Sequence, residues 1–123
     1  MLPYYLLLVL HFVGDFLFQT DKMATKKSKD DLWLLFHNIT YMTPFIAMFL
    51  WVYGAHYAQA VPYAVWLFLL INFIVHTATD RLTSQITTYL WNQQNWRAFF
   101  ATIGADQLIH FTCLFFTYRW LVQ

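Results

Sequence analysis

The sequence predicts an all-α, polytopic membrane protein: a bundle of four transmembrane helices. Composition is the first observation behind this. Of 123 residues, 60% are hydrophobic, 22% aromatic and only 11% charged, where a soluble domain carries about 25% charged residues. A chain this short has too little interior to hide so many Phe, Trp, Tyr and Leu side chains, so the lipid bilayer becomes the expected partner. The second observation is that four apolar runs are long enough to cross a hydrocarbon core of about 30 Å at about 1.5 Å per residue. The third is that the segments between them are short and polar, as connections within a bundle are. No repeat or composition shift divides the chain, so residues 1–123 read as a single domain.

The first run, residues 2–20, has no basic segment before it and carries Asp15. It is followed by Asp21-Lys22-Met23 rather than small residues, so it reads as a retained span and not a signal peptide. The first loop holds Lys22, Lys26, Lys27 and Lys29. The second span covers 32–53, and the loop after it, 54–60, has no Lys or Arg and one His, His56, expected in solvent. The third span covers 61–79. Beyond it, 81–97 sets Leu82, Ile86, Tyr89, Leu90 and Trp96 near helical spacing. That pattern fits an amphipathic helix lying in the interface, and equally a third span that continues as a helix beyond the membrane. The fourth span covers 99–118. Because basic residues stay on the cytoplasmic side, loops one and three are placed in the cytoplasm and both termini outside, with Arg119 the exception; the expected location is a bacterial inner membrane, in a bacterial or phage-encoded protein. Aromatics agree: Tyr4, Tyr5, Trp51, Tyr53, Tyr63, Tyr118 and Trp120 mark one set of helix ends, and Trp33, Trp91 and Trp96 the other.

Several function classes fall away. A net charge of +1 gives no footprint for nucleic acid. The single cysteine, Cys113, excludes a disulfide framework and a thiolate zinc cage. Glu is absent, so carboxylate chemistry must come from six Asp.

Ionisable side chains inside spans are costly and usually face the bundle interior, where they pair or bind something. Here they come in pairs four apart: His11 and Asp15, His76 and Asp80, Asp106 and His110. Residues at i and i+4 share a helix face, so three helices each offer an imidazole beside a carboxylate, and His37 adds an imidazole from the second span. Gln19, Asn72 and Tyr41 lengthen these stripes, and Gly14 and Gly104 beside them would allow close helix approach. Counting from the cytoplasmic ends, all seven residues lie roughly 0 to 17 Å inside one face of the membrane. Imidazole and carboxylate together suit a divalent transition metal, zinc first and otherwise iron, manganese or nickel. The expected ligands are His11, Asp15, His76, Asp80 and His110. Asp106 is the base or a bridging ligand, and His37 a ligand or a donor that orients one. Gln19 and Gln107 are placed to hydrogen-bond a substrate, and Lys22 and Arg81, with Arg97, to hold an anionic head group, although a topology signal also explains the basic residues.

The string from His11 through Asp15-Phe16 to Gln19, the lysine after it, His37 opening the second span, His76 with Asp80, and Asp106-Gln107 with His110 resemble the domain-of-unknown-function 3307 family of small bacterial and phage membrane proteins. The resemblance spans nearly the whole chain. It implies a helical inner-membrane protein, marks the same residues, and implies no particular activity. A looser analogy is to membrane-bound metal-dependent hydrolases with His and Asp ligands on transmembrane helices.

Three functions compete. A metal-dependent hydrolase would act on a lipid or lipid-linked head group entering from the cytoplasmic leaflet. A proton or divalent-cation carrier would use the same groups transiently but needs access from both sides; the outer half of every span is apolar, so the path would require a homo-oligomer. A holin-like or partner-binding subunit would use the polar layer as helix glue, which leaves three His/Asp pairs unexplained.

Overall fold

The computed structural model describes residues 3–55 and 61–123, with helices and turns and no strand among them. Leu2 and, in the second loop, residues 56–60 with His56 lie outside the described residues. Helix α1 spans Tyr4–Phe12 and continues through a wide π turn, Val13–Leu17, closed by Phe18 N donating to Val13 O at 2.9 Å. Helix α2 is Asp21–Lys26, α3 is Asp31–Phe49, α4 is Tyr63–Asn92 and α5 is Trp96–Thr117; α3 and α5 each end in a π turn. Side-chain caps start three of them. Thr20 accepts from Met23 N at 3.3 Å, Asp30 from Leu32 N at 2.9 Å and Asn95 from Ala98 N at 3.2 Å, each satisfying an amide that has no partner within its helix.

Three helical segments, Asp31–Gly54, Tyr63–Asn92 and Trp96–Val122, are long and apolar enough to cross a membrane, which suggests a membrane protein. The first apolar run differs from the expected span 2–20. It forms the shorter helix Tyr4–Leu17, about 21 Å at 1.5 Å per residue, because Thr20 turns the chain into α2. The third loop is also corrected. Helix α4 runs unbroken to Asn92, and the connection to α5 is only Gln93, Gln94 and Asn95, with Gln94 at φ 55° making the reversal. Of the two readings of 81–97, the continuous helix is the one found, and its apolar stripe points outward: Leu82, Ile86 and Tyr89 are exposed.

Helices α1, α3, α4 and α5 close a ring, with α1 touching both α3 and α5. Its interior has two halves. Toward the end marked by Tyr4 and Tyr118 it is apolar, with Phe45, Phe49, Phe68, Leu7, Leu114 and Tyr118 buried. Toward the lysine-rich end it is polar, with all seven predicted His and Asp buried. Gly14 makes the tightest seam. A Cβ there would lie 2.5 Å from Tyr41 O, whereas one at Gly104 meets nothing within 4 Å; the close approach expected of both glycines holds for Gly14 alone.

Candidate metal centre

Each i, i+4 pair projects from one face of its helix into the polar half of the ring, and α3 brings His37 to the same level. The π turn carries Asp15, and such one-turn widenings recur at functional sites. His37 Nε2 lies 3.1 Å from Asp15 Oδ1, 3.0 Å from Asp80 Oδ2 and 3.3 Å from His76 Nε2; His76 Nε2 lies 3.7 Å from the same two oxygens. Ligands held tetrahedrally about 2.0–2.1 Å from an ion are separated by about 3.3–3.4 Å. Five of the six separations among the atoms from Asp15, His37, His76 and Asp80, at 3.0–3.7 Å, lie near that spacing, and all four atoms lie within 4.8 Å of one another.

A second group adjoins the first through Asp80. His110 Nε2 is 3.7 Å from Asp80 Oδ1, and His110 Nδ1 is 3.6 Å from Asp106 Oδ2, both beyond ordinary hydrogen-bond length. Neither nitrogen of His110 has a hydrogen-bond partner, nor do Nδ1 of His37 and of His76. Buried polar atoms are nearly always paired, so His110, with both nitrogens unpartnered beside Asp80 and Asp106, is the member of the cluster that hydrogen-bonded glue explains least. Asp80 belongs to both groups of potential ligands.

The other members hold this set in place. Gln107 Nε2 donates to Asp15 Oδ2 at 2.9 Å and to Asp106 Oδ2 at 3.1 Å. Carboxylates only accept, which fixes the amide orientation and leaves Gln107 Oε1 to accept from His11 Nε2 at 2.8 Å. His11 Nδ1 then accepts from Tyr41 OH at 3.1 Å. Both nitrogens of His11 thus carry hydrogen bonds as placed, and His11 also stands with Asp15 and His110 in a further group of potential ligands. The Tyr41 ring stacks on His76 with centroids 3.7 Å apart and planes 5° from parallel, and forms the floor between polar and apolar halves. Thr83 Oγ1 donates to Asp106 Oδ1 at 2.6 Å.

The sequence does not single out Lys27; of the four lysines in the first loop it places only Lys22 near the site. The return of the chain through α2 places Lys27 Nζ 2.6 Å from Asp80 Oδ2 and 3.3 Å from His37 Nε2. Thr83 was also missed, although a hydroxyl three residues after Asp80 on the same helix face was a readable signal. Of the predicted substrate residues, Gln19 lines a cleft of about 260 Å³ that reaches Asp15, Asp80 and Asp106 from the lysine-rich end. Gln107 lines it too but is saturated by the cluster. Lys22 is exposed on α2 and outside the cleft lining. Arg81 pairs with Asp31 at 2.7 Å on another face, tying α4 to the start of α3.

No curated protein and no solved structure matches the chain. A family model described as a protein of unknown function (DUF3307) matches residues 4–123, and on that match, which takes in every member of the His/Asp cluster, the chain belongs to the DUF3307 family.

Proposed function

We propose that this is a four-span inner-membrane protein, α1 included, whose buried cluster binds a divalent transition metal, zinc first, and hydrolyses a lipid or lipid-linked head group reached from the cytoplasmic leaflet. The observation that carries the reading is the spacing of the four atoms from Asp15, His37, His76 and Asp80. A cleft leading to three carboxylates supports a reacting site over a closed structural one. A bound ion supplies Lewis-acid polarisation of the scissile carbonyl or phosphoryl group and a nucleophile at neutral pH. The chain's own residues do the rest. Asp106, at the cleft and oriented by Thr83 and Gln107, accepts the proton; Tyr41 and the packed rings beneath it keep water out of the apolar half; Lys27 holds Asp80. The buried Phe45, Phe49 and Phe68 count against a carrier, which needs a polar route to the far side.

Elemental analysis of protein purified in detergent without added metal tests the centre. The expectation is about one or two transition-metal ions per chain, reduced in His76→Ala and unchanged in His56→Ala. Equal metal content in both variants removes the centre, and release of labelled head group from lipid by wild type but not by Asp106→Asn tests the chemistry.

A further inference from the structure

The cleft has two unlike walls. One is a face of α4 beyond the predicted span, where Thr83, Ser84, Thr87 and Thr88 follow Asp80 at helical spacing; the other is formed by Phe16, Phe99 and Ile103. The opposite face of the same stretch of α4 exposes Leu82, Ile86 and Tyr89. A helix with its hydroxyls turned inward and its apolar residues outward is arranged for lipid outside and a polar guest inside.

Hydrogen-bond roles within the cleft indicate which guest. Thr83 Oγ1 donates to Asp106 Oδ1, Thr87 Oγ1 to Thr83 O at 2.9 Å and Thr88 Oγ1 to Ser84 O at 2.8 Å. A hydroxyl has one hydrogen and two lone pairs, so these three present acceptors to the cleft. Both Gln107 amide hydrogens go to carboxylates, and the Lys27 ammonium is turned to Asp80 and His37. Gln19 Oε1 is buried there with no donor facing it. Acceptors therefore outnumber free donors in the cleft, where the Gln19 amide N–H groups and one N–H of Lys27 are the donors left over. A ligand that satisfies it brings its own O–H or N–H groups. Asp15, Asp80 and Asp106 lie at the inner end of the cleft, against Lys27 and the imidazoles, while the Thr and Ser wall beyond them is uncharged, so the donors that match that wall are hydroxyls rather than an ammonium.

We infer that the cleft binds a neutral polyol head group, of sugar or glycerol type, on an amphiphile whose chains lie along Phe16, Phe99 and Ile103. As a statement of substrate class this rests on the hydrolytic reading above; as a binding site it stands on the cleft alone. The test is retention in detergent micelles, by native mass spectrometry, of three lipids with the same acyl chains: monoglucosyl diacylglycerol, its per-O-methylated form, and phosphatidylethanolamine. The glucolipid should be retained about tenfold better than either of the others. The Thr87→Val, Thr88→Val double variant, which keeps side-chain shape, should abolish that preference while leaving metal content unchanged. Equal retention of the three lipids, a preference for the ammonium lipid, or a preference unaffected by the valines each overturns the inference. Glucolipid preference in a protein that carries no metal upholds the site and removes the hydrolytic reading; metal without preference removes the site and leaves that reading standing.

Discussion

Replacing Asp80 by Asn keeps its shape and removes its charge, and it separates two roles that meet on one side chain. Asp80 Oδ2 accepts from Lys27 Nζ at 2.6 Å and from the His37 side at 3.0 Å, while Oδ1 faces His110. The Asp80 side chain is 2% exposed and that of Lys27 16%. Breaking a buried pair by removing one partner costs about 3–5 kcal/mol. Lys27 keeps a path into the cleft, so the lower end, about 3 kcal/mol, is expected for Asp80→Asn. Adding Lys27→Gln removes the stranded charge, and the double variant should recover about 2 kcal/mol of that loss. Metal affinity should behave differently and fall by tenfold or more in both, because Asn is a poor ligand and Gln at position 27 restores no charge. Denaturant unfolding in detergent reads the first quantity, and equilibrium dialysis with zinc reads the second. Wild-type zinc affinity in the double variant would refute Asp80 as a ligand; wild-type stability in the single variant would refute the Lys27 pair as a structural element.

Tyr41→Phe keeps the stack on His76 but leaves His11 Nδ1 without its donor, so stability should fall by about 1–3 kcal/mol, while zinc affinity, reached only through Gln107, should change by less than about tenfold. Gly14→Ala should destabilise by about 1–3 kcal/mol because its Cβ meets the Tyr41 backbone, whereas Gly104→Ala, open on that side, should be neutral or gain up to about 1 kcal/mol of helix propensity; circular-dichroism melting distinguishes them. Arg81→Gln loses an ion pair whose Asp31 side is 81% exposed, so stability should change by less than about 1 kcal/mol and metal content not at all. Cysteine labelling should reach Lys22→Cys from the cytoplasm and Gln123→Cys from outside; the reverse pattern inverts the proposed topology.

The convergence of His11, Asp15, His37, His76, Asp80, Asp106 and His110 was legible because helical periodicity and a common depth are both functions of residue number, and an α-helix converts number into position with little freedom. What periodicity cannot express stayed hidden. Lys27 reaches Asp80 only because Thr20 caps a short helix that folds the chain back, and its neighbours Lys22, Lys26 and Lys29 share its composition without its position. The π turn at Val13–Leu17 adds a residue to one turn of helix and re-aims Asp15, a change of pitch with no compositional mark. Helix α4 continues past Asp80 with Thr87 and Thr88 bonding back to carbonyls one turn earlier, so residues that resemble a loop by polarity act as the inner face of a helix. Arg81 lies against Asp31 and outside the cleft lining, and a charge count does not show which partner a charge will find.

The division of the interior into a polar half and a sealed apolar half has an electrical consequence. Moving one elementary charge across a whole membrane couples to the potential by about 2.3 kcal/mol per 100 mV. A cation that reaches Asp15 and Asp80 through the cleft and stops against Tyr41, with Phe45, Phe49 and Phe68 beyond it, traverses only part of that field and returns by the way it came. A divalent ion bound there would therefore feel the voltage of the cell only in proportion to the fraction of the field it crosses, and reversal of the potential would tighten or loosen its hold without ever driving it through to the far side.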